Sequence, residues 1–199
     1  MARVADPAVG VALVEAAARV LATEGPAALT TRRLAREVGA STMAVYTHFG
    51  GMDDLVRAMV RAAFNRLATE LDRVPHTDDP LADLAQLGLA YRRNAHADPH
   101  LYLAMFGPHP DLPYQPTEAD RAHGLTTFTT LVRAVERCIQ AGQLAPGPQS
   151  AEAIAAQIWS AAHGAVTLEL AGFLDDDGAT FAATTLGLLA GLGAPLARP

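Results

Sequence analysis

Apolar residues recur every three or four positions along most of this chain, and glycine or proline cuts the recurrence into helix-length segments. Val9, Leu13, Ala17, Val20 and Leu21 share one helical face that Gly25-Pro26 ends. Thr31 can cap a short second helix through Val38, Gly39 supplies a tight turn, and Ser41 can cap a third helix from about Thr42 to His48. After Gly50-Gly51, a stripe from Leu55 to Leu71 marks a long fourth helix reaching about Val74. Pro75 and the acidic residues 77–80 break it, and a fifth helix runs from Leu81 to about His96. Pro99 stops or restarts that helix, and Leu101 to Phe106 form a short apolar segment. Four prolines within residues 107–116 forbid a regular helix there and mark the main loop. Thr117 with Asp120 can cap the next helix, Ser150 the one after it, and the turn at Asp175 to Gly178 precedes the last. With 42 alanines among 199 residues and no β-rich runs, the chain reads as all-α with about nine helices.

A hydrophobic fraction of 50% is enough for a packed core and excludes intrinsic disorder. The 15 basic residues are all arginine and face 21 acids, a net charge of −6 that argues against a broad nucleic-acid coat and makes any DNA contact local. The excess acid lies mainly in residues 56–199, which carry ten arginines and fifteen acids. Residues 28–50 carry three arginines and one glutamate. Cys138 stands alone, so no internal disulfide is expected, and its place beside Ile139 suits a buried, inert thiol. The first residues lack the pattern of a signal peptide, and the uncharged stretch 178–197 contains threonines, glycines and Pro195 with its apolar bulk on one stripe. A cytoplasmic protein with no membrane contact is expected.

Residues 28–55 place two short helices about the Gly39 turn, which is helix-turn-helix anatomy: one helix buttresses another that is narrow enough for the major groove. Small Ser41, Thr42 and Ala44 permit close approach to base edges. Tyr46 and His48 near the other end can bond phosphate oxygens. Gly39, Ser41, Tyr46-Thr47-His48-Phe49 and Asp53-Asp54-Leu55 together resemble the N-terminal pattern of the tetracycline-repressor (TetR) family of transcriptional regulators, and Thr30-Thr31-Arg32 resembles the tetracycline repressors themselves. The resemblance implies that Arg32, Thr42 and Met43 face bases while Thr31, Tyr46 and His48 hold phosphates. With Ser41, Ala44 and Thr47 they make up the expected DNA-binding set. One departure stands out: Met52 occupies the position where the family usually has a phosphate-binding lysine. The N-terminus of the long helix still offers free N–H groups and the positive end of its dipole.

A second resemblance lies at Trp159, His163 and Gly164, a Trp-x-x-x-His-Gly run found in the regulatory part of one TetR subgroup. Trp159 and His163 are one helical turn apart and can line a cavity together or simply pack, packing being the favoured reading. The resemblance implies residues 1–55 as a DNA-binding domain, with the long helix leading into an effector-binding and dimerisation domain over residues 56–199. The effector-pocket candidates are Phe64, Leu67, Tyr91, Tyr102, Met105, Phe106, Phe128 and Trp159, with Arg92, Arg133 and His163 as the polar ones. An inward arginine would favour an anionic ligand.

The expected partners are therefore double-stranded DNA with a palindromic operator, a small-molecule effector and a second copy of the chain, since two reading heads multiply the discrimination of one. The last two helices, with their alanines and glycines, suit close packing in a four-helix dimer bundle. A dimeric regulator without an effector is the alternative, its apolar middle being solid core. No catalytic motif, cofactor fingerprint or metal set is evident, and Pro99 separates His96 from His100. A helical enzyme would need a titratable cluster that the sequence does not display.

Overall fold

The computed structural model describes residues 6–106, 112, 114–145 and 147–194. Among these residues are nine α-helices, one 3-10 turn at Pro26–Ala28 and no strand. In chain order they are α1 (Pro7–Glu24), α2 (Thr31–Glu37), α3 (Thr42–Phe49), α4 (Met52–Asp72), α5 (Pro80–Ala97), α6 (Pro99–Phe106), α7 (Glu118–Gln140), α8 (Ala151–Leu170) and α9 (Ala179–Gly191). Residues 107–111 and 113 of the proline-rich loop lie outside the described residues, as does the chain beyond residue 194. No helix among the described residues is long and apolar enough to cross a membrane.

Local side chains set most helix ends. Asp6 accepts from the Ala8 N–H, and Pro7 opens α1 where a missing N–H costs no intrahelical bond. Thr30, rather than Thr31, caps α2: its extended backbone lets the hydroxyl accept from the Arg33 N–H at 3.2 Å, and Thr31 becomes the first helical residue. The segment 101–106 belongs to a true helix, because Asp98 accepts from the Leu101 N–H and Pro99 takes the first position of α6. At α7, the Thr117 N–H donates to Asp120 while the Thr117 hydroxyl accepts from the Asp120 N–H, a reciprocal cap. Ser150 caps α8 through the Ala153 N–H.

The helices gather into two compact units that are not contiguous in sequence. The first joins residues 1–66 with 98–124, and the second joins residues 67–97 with 125–199. This grouping follows packing and differs from a division at residue 55, which follows the motif. Its cause is the first unit's core, where Leu101, Ala104 and Leu112 share one buried cluster with Leu13, Leu34, Val45, Leu55 and Phe64. Full burial of a side chain of this size contributes about 1.5–3 kcal/mol, so α6 adds substantially to the head's stability. In the second unit α8 packs on both α5 and α9. Its buried residues include Leu84, Leu87, Val135, Ile154, Val166, Phe181 and Leu189. Cys138 is fully buried there, and burial pushes its thiol pKa up to about 11.

Candidate functional site

In the first unit, α1, α2 and α3 pack against one another and leave one side of α3 open. Val45 is the inward anchor of α3, with no exposed surface. Helical spacing from that anchor turns Thr42, Met43, Tyr46 and Thr47 outward. Met43 is 65% exposed and Tyr46 55%, so both large side chains stand on the open face. Ser41 sits at the cap position of α3 but makes no side-chain capping bond, so its exposed hydroxyl is available. Ala44 is half-buried between the two faces. The Thr47 hydroxyl bonds back to the Met43 carbonyl at 2.9 Å, which leaves it able to accept but not to donate elsewhere.

Tyr46 and His48 differ more than their spacing suggests. His48 is half-buried against α1, where a Cβ placed on Gly10 would lie 3.1 Å from its Nδ1. Gly10 thus admits the imidazole, and nothing in the local motif pointed to it. Of the three arginines beside the reading helix, Arg33 is committed: it bridges Glu24 at 2.6 Å and pairs with Glu37. Arg32 and Arg36 are exposed and make no ion pair among the described residues, while Thr31 is half-buried beside them. The local positive charge on offer is therefore two guanidinium groups. Met52 is half-buried and packs on the unit's core, so the lysine's usual place holds a packing residue.

A charged clamp behind the head also escaped the sequence reading. Asp120, buried at the start of α7, accepts from Arg57 Nε at 3.0 Å and from Arg61 Nε at 2.8 Å. Arg57 also pairs with Asp54 and lies over the Tyr114 ring, 5.7 Å from its centroid. Burial pushes the Asp120 carboxyl up, but the N–H and hydroxyl of Thr117 and the guanidinium groups of Arg61 and Arg57 outweigh it and hold the group well below the usual carboxylate range.

The effector-pocket candidates fall into the two units. Phe64, Tyr102, Met105 and Phe106 belong to the first, where the Phe106 ring meets Phe64 at 5.5 Å and Tyr102 at 5.1 Å, edge to face. Tyr102 is 1% exposed, a core residue. In the second unit the Trp159 indole N–H donates to the Tyr91 hydroxyl at 3.2 Å, and that hydroxyl bonds His163 Nδ1 at 3.0 Å. The Phe128 ring lies 5.8 Å from Trp159. Burial pushes the His163 pKa below its ordinary value, which favours a neutral imidazole at pH 7. Trp159 and His163 are thus one polar network through Tyr91. Arg92 pairs with the buried Glu169 at 2.8 Å, and His96 reaches the same carboxylate oxygen at 2.6 Å. His100 lies on a different helix from His96. Leu67 is core. Arg133 is exposed and lines a cavity of about 250 Å³ with residues from the end of α4 and from α5 and α7.

Residues 13–59 match the family model for bacterial regulatory proteins of the tetR family, and residues 84–189 match the tetracyclin repressor-like C-terminal domain. The uncharacterized HTH-type transcriptional regulator Rv0681 of Mycobacterium tuberculosis is 30% identical over 90% of this chain and 79% of its own length. A solved structure of a protein of unknown function from Rhodococcus sp. RHA1 superposes with a TM-score of 0.79 at 28% identity, covering 96% of this chain and 99% of that one. A TetR variant from Acinetobacter baumannii, in complex with minocycline, shares the fold with a TM-score of 0.58 at 23% identity, over 91% of this chain and 94% of that one. The chain belongs to the TetR family of helix-turn-helix transcriptional regulators.

Proposed function

We propose that the chain represses transcription in the cytoplasm as a homodimer, binding a palindromic operator through α3 and releasing it when a small molecule occupies the regulatory part. The observation that carries the DNA half is the open face of α3, where Thr42, Met43 and Tyr46 project from a helix anchored by buried Val45. In this reading Arg32, Thr42 and Met43 meet base edges, small Ser41 and Ala44 permit the approach, Thr31, Tyr46 and His48 meet the backbone, and Thr47 completes the DNA-binding set. Residues 1–55 act as the reading domain and residues 56–199 as the effector and dimer domain. The Trp159-to-Gly164 run marks a subgroup of the family.

Dimerisation is supported by the small outward faces of α8 and α9. Ala153, Ala156, Ser160 and Gly164 are exposed along one, and Ala182, Ala183, Gly187 and Ala190 along the other. A Cβ at Gly164 would meet nothing within 4 Å, which leaves room for a partner helix. Gly164→Arg should convert a dimer to a monomer in size-exclusion chromatography with light scattering, with helicity retained. A wild-type monomer at micromolar concentration would sink this part.

That a protein of the same fold holds minocycline supports an effector. Effector release requires the ligand to favour the non-binding state, and a coupling of about 1–3 kcal/mol gives roughly 5- to 150-fold relief. The reading without an effector draws on the mutual bonding of Tyr91, Trp159 and His163, which suits a solid core. Fluorescence anisotropy on DNA from upstream of the chain's own gene tests the DNA half. Tyr46→Ala and Arg32→Ala should each weaken binding while the far-ultraviolet spectrum stays unchanged.

A further inference from the structure

The cavity in the second unit gathers polar groups that the fold does not use. Its walls include Leu71, Val74, Leu87 and Ala134, and among them stand the side chains of Asp72, His76, Thr130 and Arg133. Among the described residues these four side chains have no hydrogen bond or ion pair, and Asp72, His76 and Arg133 are exposed while Thr130 is half-buried. The two other polar lining residues, Asp83 and Arg137, are committed. Arg137 donates to Asp83 at 2.8 Å and to the Thr77 carbonyl at 2.7 Å, while Asp83 also accepts from the Thr77 N–H and hydroxyl, each at 2.8 Å. That pair cancels its own charge. What remains is a free carboxylate at the end of α4 and a free guanidinium on α7, lining the same space without pairing to each other.

The arrangement has a chemical preference. Thr130 and Arg133 are three residues apart on α7, so a hydroxyl and a planar five-donor cation share one helical face and can hold a carboxylate. Asp72 lies in the last turn of α4, where the helix dipole is negative, and both favour a cation. A volume of about 250 Å³ falls below the roughly 300–1,000 Å³ of pockets for drug-sized ligands, which limits the occupant to a small molecule. We infer that this cavity binds a small zwitterion of the amino-acid class, with its carboxylate on Arg133 and Thr130, its ammonium on Asp72, and its apolar side chain against Leu71, Val74, Leu87 and Ala134. The inference deepens the effector reading by giving the ligand's class, and it rests on that reading only for its consequence at DNA.

The test is isothermal titration of the full-length protein with leucine and methionine, and with the two single-charge counterparts of leucine, 4-methylpentanoate and 3-methylbutylamine. At least one amino acid should saturate, and each single-charge counterpart should bind about tenfold or more weakly than leucine or the tighter amino acid. Arg133→Gln should remove the advantage over the amine, and Asp72→Asn the advantage over the acid, with unchanged thermal unfolding in both. Failure of both amino acids to saturate at millimolar concentration overturns the assignment. So does equal affinity for a single-charge counterpart, or wild-type affinity in both variants. Repeating the DNA anisotropy with the bound amino acid separates the two readings: saturable binding without relief of DNA leaves the site standing and removes its effector role.

Discussion

Arg32 and Arg33 are neighbours with different duties. Arg33 spends its charge on Glu24 and Glu37, holding α2 against the end of α1, whereas Arg32 is exposed and has no ion pair among the described residues. In DNA titrations over a range of salt, where the log-log slope counts phosphate contacts, Arg32→Ala should weaken binding by about 1–3 kcal/mol per subunit and relax the preference at the base pair it meets. Arg33→Ala should leave the slope alone and lower thermal stability. Met52→Lys should raise the slope by about one unit per subunit, since the lysine stem can cover the same apolar surface while its ammonium reaches phosphate. An unchanged slope would refute the role assigned to that position. The outward residues of α3 were legible in the sequence because a short helix with one buried anchor has little choice of face. The commitment of Arg33 was not, because Glu24 lies across the Gly25-Pro26 break, where helical spacing carries no information. Gly10 was invisible for a similar reason, its role being defined by a ring 38 positions away.

At the scale of elements, α4 and α7 meet in the first unit at two points of opposite character. One is the Asp120 clamp. Its depressed pKa means that the carboxylate's contribution is fully present above the ordinary value of about 3.9 and is lost as pH falls toward the folded-state value. Asp120→Asn should therefore cost about 1–3 kcal/mol at neutral pH. It should also flatten the decline in stability that denaturant titrations of the wild type show below about pH 4. The other point is Gly124, where an added Cβ would come within 2.8 Å of the Phe64 ring. That ring is buried and lies edge to face with Phe106 at 5.5 Å and His123 at 6.5 Å, so its withdrawal would disturb both contacts. Overpacking of about 1–3 kcal/mol offsets the roughly 1 kcal/mol of helix propensity gained, so Gly124→Ala should destabilise by up to about 2 kcal/mol, and Phe64→Leu should relieve the clash in a double-mutant cycle. The helices themselves were largely legible because caps and breakers are local. The spacing from Thr117 marks Asp120 as a cap, which it is, but its two arginine partners lie 59 and 63 residues earlier, beyond the reach of a pattern along the chain. The α6 helix shows in the sequence only as an apolar segment because eight residues offer barely two turns of periodicity.

For the whole molecule, the family and the all-helical architecture were legible from the first 60 residues and the apolar rhythm of the rest. The partition into compact units was not, since it depends on which buried surfaces meet. A fragment of residues 1–66 lacks Leu101, Ala104 and Leu112 from its core cluster. It should unfold with low cooperativity in thermal scans and bind the dye ANS, whereas the full chain should not. The same fact bears on how regulators of this kind can be recombined. A head grafted from a relative at residue 55 would inherit this chain's α6 and Leu112, whose packing surfaces are fitted to a different set of neighbours. A chimera with a sound interior would have to take residues 98–124 along with the N-terminal segment, so exchange of DNA specificity by a single crossover is penalised, and point changes on the open face of α3 become the easier route to a new operator.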